Sequence, residues 1–227
     1  NGTLKLNGGT LSVKNNVATS SSIDLSADSN VVISSGSTLS HSGGALNIGT
    51  KNLTFSGGGT FTNLDNLVLN DAAGELEFAG DTVTTVSHVK INSGDTANMP
   101  VLRMTESGVI KNLTQQEFAE VNFAGGKTLT LEEAFAVPAS KQMNVSGAAG
   151  ILKTASSISL AGTLSVSAAN PSLEGGTVAL SGGTLKADND ITVKSDLTSQ
   201  ADSSISVAAG KKVTYTGSTV SIGGHSL

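Results

Sequence analysis

Three histidines, eighteen acidic residues and one arginine, Arg103, carry most of the side-chain chemistry open to this chain. The densest acidic run is Asp188-Asn189-Asp190, with Asp196 and Asp202 following. Hard oxygen ligands at that spacing could hold a calcium ion. Asp and Asn also favour turns on backbone grounds alone, because their side chains bond nearby amides. The solvated turn is the reading taken, and the glycine-rich calcium nonapeptide does not occur. Glu75 and Glu77 flank Leu76, so both point to the outer face of one strand and solubilise it. Glu132-Glu133 is a weaker pair. His41, His88 and His225 lie far apart, without the H-x-H or H-E-x-x-H spacing of a metal site, and are expected to be exposed polar residues. A Ser-His-Asp set can be drawn in any chain this rich in Ser and means nothing without geometry. No residue is therefore assigned as catalytic, cofactor-binding or metal-ligating. No cofactor is expected, and the chain is read as not an enzyme.

Composition narrows the partners. The net charge is −5 and the pI about 5.1, which disfavours nucleic acid and anionic membrane surfaces, since both call for a basic face. Only 14% of residues are charged and 3% aromatic, with no Trp and one tyrosine, Tyr215. That is too little to build the charged groove of a polysaccharide-cleaving enzyme or an aromatic sugar platform. There is no cysteine, hence no disulfide framework or thiolate metal site. No run approaches the roughly 18 apolar residues of a membrane helix, and no membrane insertion by this segment is expected. Sequons at Asn1, Asn52, Asn112 and Asn144 are about as frequent as chance gives in a chain so rich in Asn, Ser and Thr. Thr-x-Thr at Thr60, Thr128 and Thr214 is too widely spaced for a continuous stacked array. With no leader pattern after Asn1, the chain is read as a mature or excised segment of a larger protein.

The elements that must position these residues are short strands. Apolar residues recur two apart, as in Leu4/Leu6, Leu11/Val13, Val31/Ile33, Leu53/Phe55, Leu76/Phe78, Val121/Phe123, Leu164/Val166, Leu185/Ala187 and Val220/Ile222. Leu4 to Leu11, Leu46 to Leu53, Val178 to Leu185 and Val213 to Val220 are each 7 residues, and Leu53 to Leu67 is 14. Three strand-plus-turn units of that length make a triangular coil of roughly 20–24 residues, within the solenoid range. The predicted fold is all-β: a right-handed parallel β-helix of about three short strands per coil and roughly ten coils. A β-sandwich of short strands is the alternative. Gly-Gly-Thr-Leu at Gly8–Leu11 and Gly182–Leu185, with variants elsewhere, supplies corners, because glycine reaches positive φ and Thr restarts a strand. Residues 1–227 form one segment, with an irregular coil or loop insertion near 95–142, where Pro100, Pro138 and clustered acids break the rhythm. Thr114-Gln115-Gln116-Glu117 resembles a capping box and predicts a short helical turn. All six Phe fall between Phe55 and Phe135, so the core should be thickest in the middle.

The stretches GGTLSV, GGALNIGTKNLTFSGGGTF and AGTLSVSAANPSLEGGTVALSGGTLKADNDITV resemble the β-helical passenger regions of bacterial autotransporters and two-partner-secreted, haemagglutinin-like adhesins. The resemblance covers nearly the whole chain and is one of composition and period; no functional residue of the family is matched. It implies an extracellular or bacterial cell-surface rod that mediates attachment or spaces an adhesive tip. Its partners would be a host or cell-surface protein or glycan, or other copies of the chain. A carbohydrate-active or tailspike-like β-helix, and a self-assembling filament or surface-layer subunit, are the alternatives.

Overall fold

The computed structural model describes residues 2–227. Among them there are 27 strands and no helix, and the strands pair in parallel throughout. The one antiparallel contact is an isolated bridge between Ser34 and Gly58. Parallel neighbours cannot be joined by a hairpin. Here the chain visits two other faces before returning to stack on itself, which makes the protein a β-solenoid. The sandwich alternative falls, because its sheets would be antiparallel.

One face is a sheet of 10 strands, from Thr10–Val13 to Ser204–Val207. Each strand begins a coil, so there are ten coils, stacked over about 48 Å at the ~4.8 Å spacing of neighbouring strands. The other two faces merge in a 15-stranded sheet. They merge because Thr84–Ile91, Gly108–Gln115, Gly150–Leu160 and Ser172–Ser181 bend round the corner between them without a break. Ahead of the first coil, Thr3–Asn7 pairs with Ser22–Ala27 on the third face. Coil length is set by register on the first face. Leu11 stands opposite Val31, Phe55 opposite Phe78, Phe78 opposite Met104, and Met104 opposite Phe123, giving coils of 19 to 26 residues.

Alternation drives the core. Leu53, Phe55, Leu76, Phe78, Leu102, Met104, Val121, Val145, Leu164 and Leu185 are all fully buried. Each such side chain contributes about 1.5–3 kcal/mol. The rings of Phe55 and Phe61 meet at 5.2 Å between centroids. Five of the six Phe are fully or almost fully buried; Phe118 is half-buried with Lys141 Nζ over its ring at 5.5 Å. The apolar pairs of the terminal coils are less covered. Leu4 and Leu11 are partly buried at one end, and Val207, Val220 and Ile222 are exposed at the other, because no coil covers them.

Large inward side chains are accommodated by glycines of the following coil, at the corner between the first and second faces. A Cβ on Gly59 would lie 2.3 Å from Ile33 Cγ2, one on Gly108 2.4 Å from Phe78 Cδ1, and one on Gly150 2.2 Å from Phe123 Cγ. These glycines leave room for a neighbour and need no unusual φ.

Within 95–142, Val101–Met104, Gly108–Gln115, Ala119–Phe123, Lys127–Leu131 and Phe135–Val137 all lie within the stacked sheets, and the longest stretch without strand, 92–100, enters this span at its start. One expectation changes. Thr114-Gln-Gln-Glu117 does not open a helical turn. Thr114 and Gln115 close a strand, opposite Lys90 and Ile91. Leu113 is buried, and Gln115 Nε2 donates to the carbonyls of Glu117 at 2.7 Å and Gln142 at 2.9 Å.

Candidate functional site

The acidic run at 188–202 does not converge. Asp190 Oδ1 accepts the amide of Lys212 at 3.1 Å, Asp196 Oδ1 that of Thr219 at 2.9 Å, and Asp202 Oδ1 that of Ser226 at 2.9 Å. Asp28 does the same for Asn52 at 2.9 Å. Each link joins one coil to the next. Neutral acceptors repeat the device: Asn16 receives the Thr38 amide at 3.0 Å, and Ser107 that of Thr128 at 3.0 Å. The ladder stops at a corner, leaving an amide without a carbonyl, and a short side chain from the adjacent coil supplies the acceptor. Asp188 takes another route, with Lys186 Nζ at 2.9 Å and Ser165 Oγ at 3.1 Å. Among the described residues no group of three His, Cys, Asp or Glu is placed to hold a metal ion.

The most extended polar network lies on the outside of the first face. Glu75 and Glu77 project there as expected, beside a partner 28 residues on that the sequence did not reveal. Arg103 clamps Glu75 with Nε at 2.8 Å and Nη2 at 2.6 Å, a bidentate pair. The clamp raises the Arg103 pKa above its ordinary value. Asn52 also donates to Glu75 at 3.0 Å, while Thr54 and Thr105 donate to Glu77 at 3.0 and 2.9 Å. Arg103 reaches Asn122 at 3.5 Å, and Asn122 donates to Ser146 at 2.9 Å and Glu120 at 3.3 Å. The network crosses five successive strands. The Arg103 side chain is 39% exposed, so the ion pair contributes no more than about 1 kcal/mol.

The remaining inter-coil ion pairs follow the same plan. Lys127 meets Glu106 at 2.9 Å, Lys141 meets Glu117 at 2.5 Å, and Lys194 meets Glu174 at 2.7 Å. The lysine bonds hold Glu106 and Glu174 below the ordinary carboxylate range, with the Ser107 amide helping at Glu106. The Ala97 and Asn98 amides do so for Asp95. Glu133 receives Asn112 Nδ2 at 2.5 Å, one more bond between coils.

The histidines stay apart. His41 is not exposed: it is 2% accessible, stacked on Phe61 at 6.3 Å, with Nε2 3.1 Å from the Ser21 carbonyl. It follows Leu39 by two on Thr38–His41, so the strand period turns it inward. His88 is half-buried, its Nδ1 2.6 Å from the Asn63 carbonyl, in a network with Ser87. His225 is exposed near the C-terminal end of the chain. Of the sequons, Asn52 and Asn112 have their amides engaged by glutamates, Asn144 accepts from Gln142 at 2.5 Å, and Asn1 lies outside the described residues. Thr60 stands opposite Thr38 and Thr85, but Thr128 stands opposite Ile151, so the hydroxyl rows are broken.

Fold and surface together define a parallel β-solenoid whose polar side chains mostly bind the neighbouring coil. No family model matches the chain, and neither a curated protein nor a solved structure is detectably similar to it.

Proposed function

We propose that this chain is a structural or adhesive rod segment of a secreted or surface-displayed bacterial protein. In that role it mediates attachment or holds an adhesive part away from its anchor. The observation that carries the reading is the direction of the side-chain chemistry. Carboxylates, amides and the one arginine are bonded to the next coil, so they stiffen the stack. A cooperative array of stacked coils transmits load along its axis, each coil held by backbone ladders and a continuous core. The resemblance in composition and repeat period to autotransporter and haemagglutinin-like passengers favours the extracellular setting. The partner is a host or cell-surface protein or glycan.

Beads coated with the folded chain, held against animal and bacterial cells under flow, test this reading. Retention above beads carrying heat-denatured chain is expected for an adhesive surface. Pulled end to end in an optical trap, the chain is expected to yield in steps of about 20–25 residues, one coil at a time. No excess retention together with unfolding at forces typical of a flexible linker would contradict both forms of the role.

A further inference from the structure

One concavity differs from the rest of the surface. It lies over the corner between the second and third faces in coils one to three, with a volume of about 430 Å³. Its walls are two outward columns. Ala18, Ser40 and Thr62 project from the strands Val17–Thr19, Thr38–His41 and Thr60–Asn63. Beyond the corner, Ser20, Ser42 and Leu64 follow in stacked coils. The Ser42 amide bonds the Thr19 carbonyl at 3.0 Å, and the Leu64 amide the His41 carbonyl at 3.0 Å. Leu64 thus takes the position of the two serines and stands 76% exposed, more than any other large apolar side chain among the described residues.

Three properties of this cleft bear on a ligand. No acid, lysine or arginine lines it. Among the described residues, the hydroxyls of Ser20, Ser40, Ser42 and Thr62 have no protein partner, whereas the outer groups of the first face are bonded to one another. Leu64 gives it an exposed apolar wall. Free hydroxyls that donate and accept beside an apolar wall suit an uncharged ring with hydroxyls on its edge and C–H groups on its face. The acidic concavity at Asp71, Asp95 and Glu120 is different, because Asp71 and Asp95 cap their own turns.

We propose that this cleft binds one or two rings of a neutral saccharide. The proposal deepens the adhesive reading and rests on it only for its biological sense. Saturation-transfer NMR of the folded chain tests it, using the methyl glycosides of glucose, galactose and mannose, with lactose, maltose and galacturonate. Saturable transfer to at least one neutral sugar is expected, with a Kd of roughly 0.1–10 mM. Ser42→Asp and Leu64→Ser change exposed side chains and are expected to keep the far-UV spectrum while weakening binding at least about tenfold. Galacturonate is expected to bind more weakly than galactose. No transfer to any neutral sugar at about 50 mM, transfer unchanged in both variants, or galacturonate bound as well as galactose would each overturn it. Beads that hold to cells when no sugar binds would remove the cleft and leave the adhesive reading. Sugar binding with beads that do not hold would do the reverse.

Discussion

Gly150→Ala is expected to be among the most damaging single-methyl additions in this protein. The new Cβ would sit 2.2 Å from Phe123 Cγ and 2.6 Å from both Cδ atoms. Packed carbons stand about 3.5–4.0 Å apart, so ring or strand must move by more than ~1 Å. The ring has nowhere to go. Phe123 is 1% exposed and lies in register between Met104 and Gly147. The strand is tied to Lys127–Leu131 by a five-residue ladder. Gly150 needs no positive φ, so the penalty is steric. Overpacking costs about 1–3 kcal/mol, and the confined ring places this change near 3 kcal/mol. Phe123→Ala alone should cost about 3–5 kcal/mol through lost apolar burial and the cavity left behind. Alanine removes Cγ and both Cδ atoms and makes room for the methyl, so the double variant should cost about what Phe123→Ala costs alone. That implies a favourable coupling of about 2–3 kcal/mol between the sites. Urea unfolding followed by far-UV circular dichroism measures all three. A Gly150→Ala change within ~0.5 kcal/mol of the parent, or a double variant equal to the sum of the singles, would refute the packing argument.

Asp196→Ala should cost about 1 kcal/mol by orphaning the Thr219 amide, and that amide should lose hydrogen-exchange protection ahead of amides in the central coils. Added calcium or chelator should leave the melting temperature unchanged, because Asp190, Asp196 and Asp202 already accept backbone amides; a calcium-dependent rise would contradict their assignment. Glu106, Glu174 and Asp95 are held below their ordinary values, so each is a stronger acid when folded. Their stabilisation is complete above the unfolded-state range and is lost as pH falls through the folded value. Urea midpoints should therefore hold from pH 7 to about 5 and fall below about pH 4. Glu174→Gln should flatten part of that fall, and a midpoint that rises on acidification would contradict the sign.

Much of the fold was legible because a solenoid writes its core into local spacing. Pairs such as Leu76/Phe78 and Leu164/Val166 face inward because strands have a period of two, whatever lies next to them. What lies next to them was less legible, because it depends on coil lengths that vary from 19 to 26 residues along the first face. Arg103 finds Glu75, and Asp190 finds the Lys212 amide, only once each coil closes. Asp190 therefore read as a solvated turn residue, when its oxygen serves the next coil. His41 was misplaced because its type outweighed its position: the alternation that buries Leu39 also buries His41, where Phe61 stacks on it. Thr114-Gln-Gln-Glu117 carries a local helix signal that tertiary pairing overrides.

Asn52, Glu75, Val101, Glu120, Asn144, Ser165, Lys186 and Ser206 stand in one outward column, each opposite the next. The chain has no cysteine, so two introduced cysteines carry spin labels without competition. Pulsed electron–electron double resonance with one label at Asn52 and the other at Lys186 or Ser206 measures the stack directly, Ser165 being covered. The distances should rise in steps of about 4.8 Å, reaching about 34 Å between Asn52 and Ser206. Distances that fail to rise coil by coil, or a 52–206 separation far from that value, would contradict the ten-coil parallel solenoid.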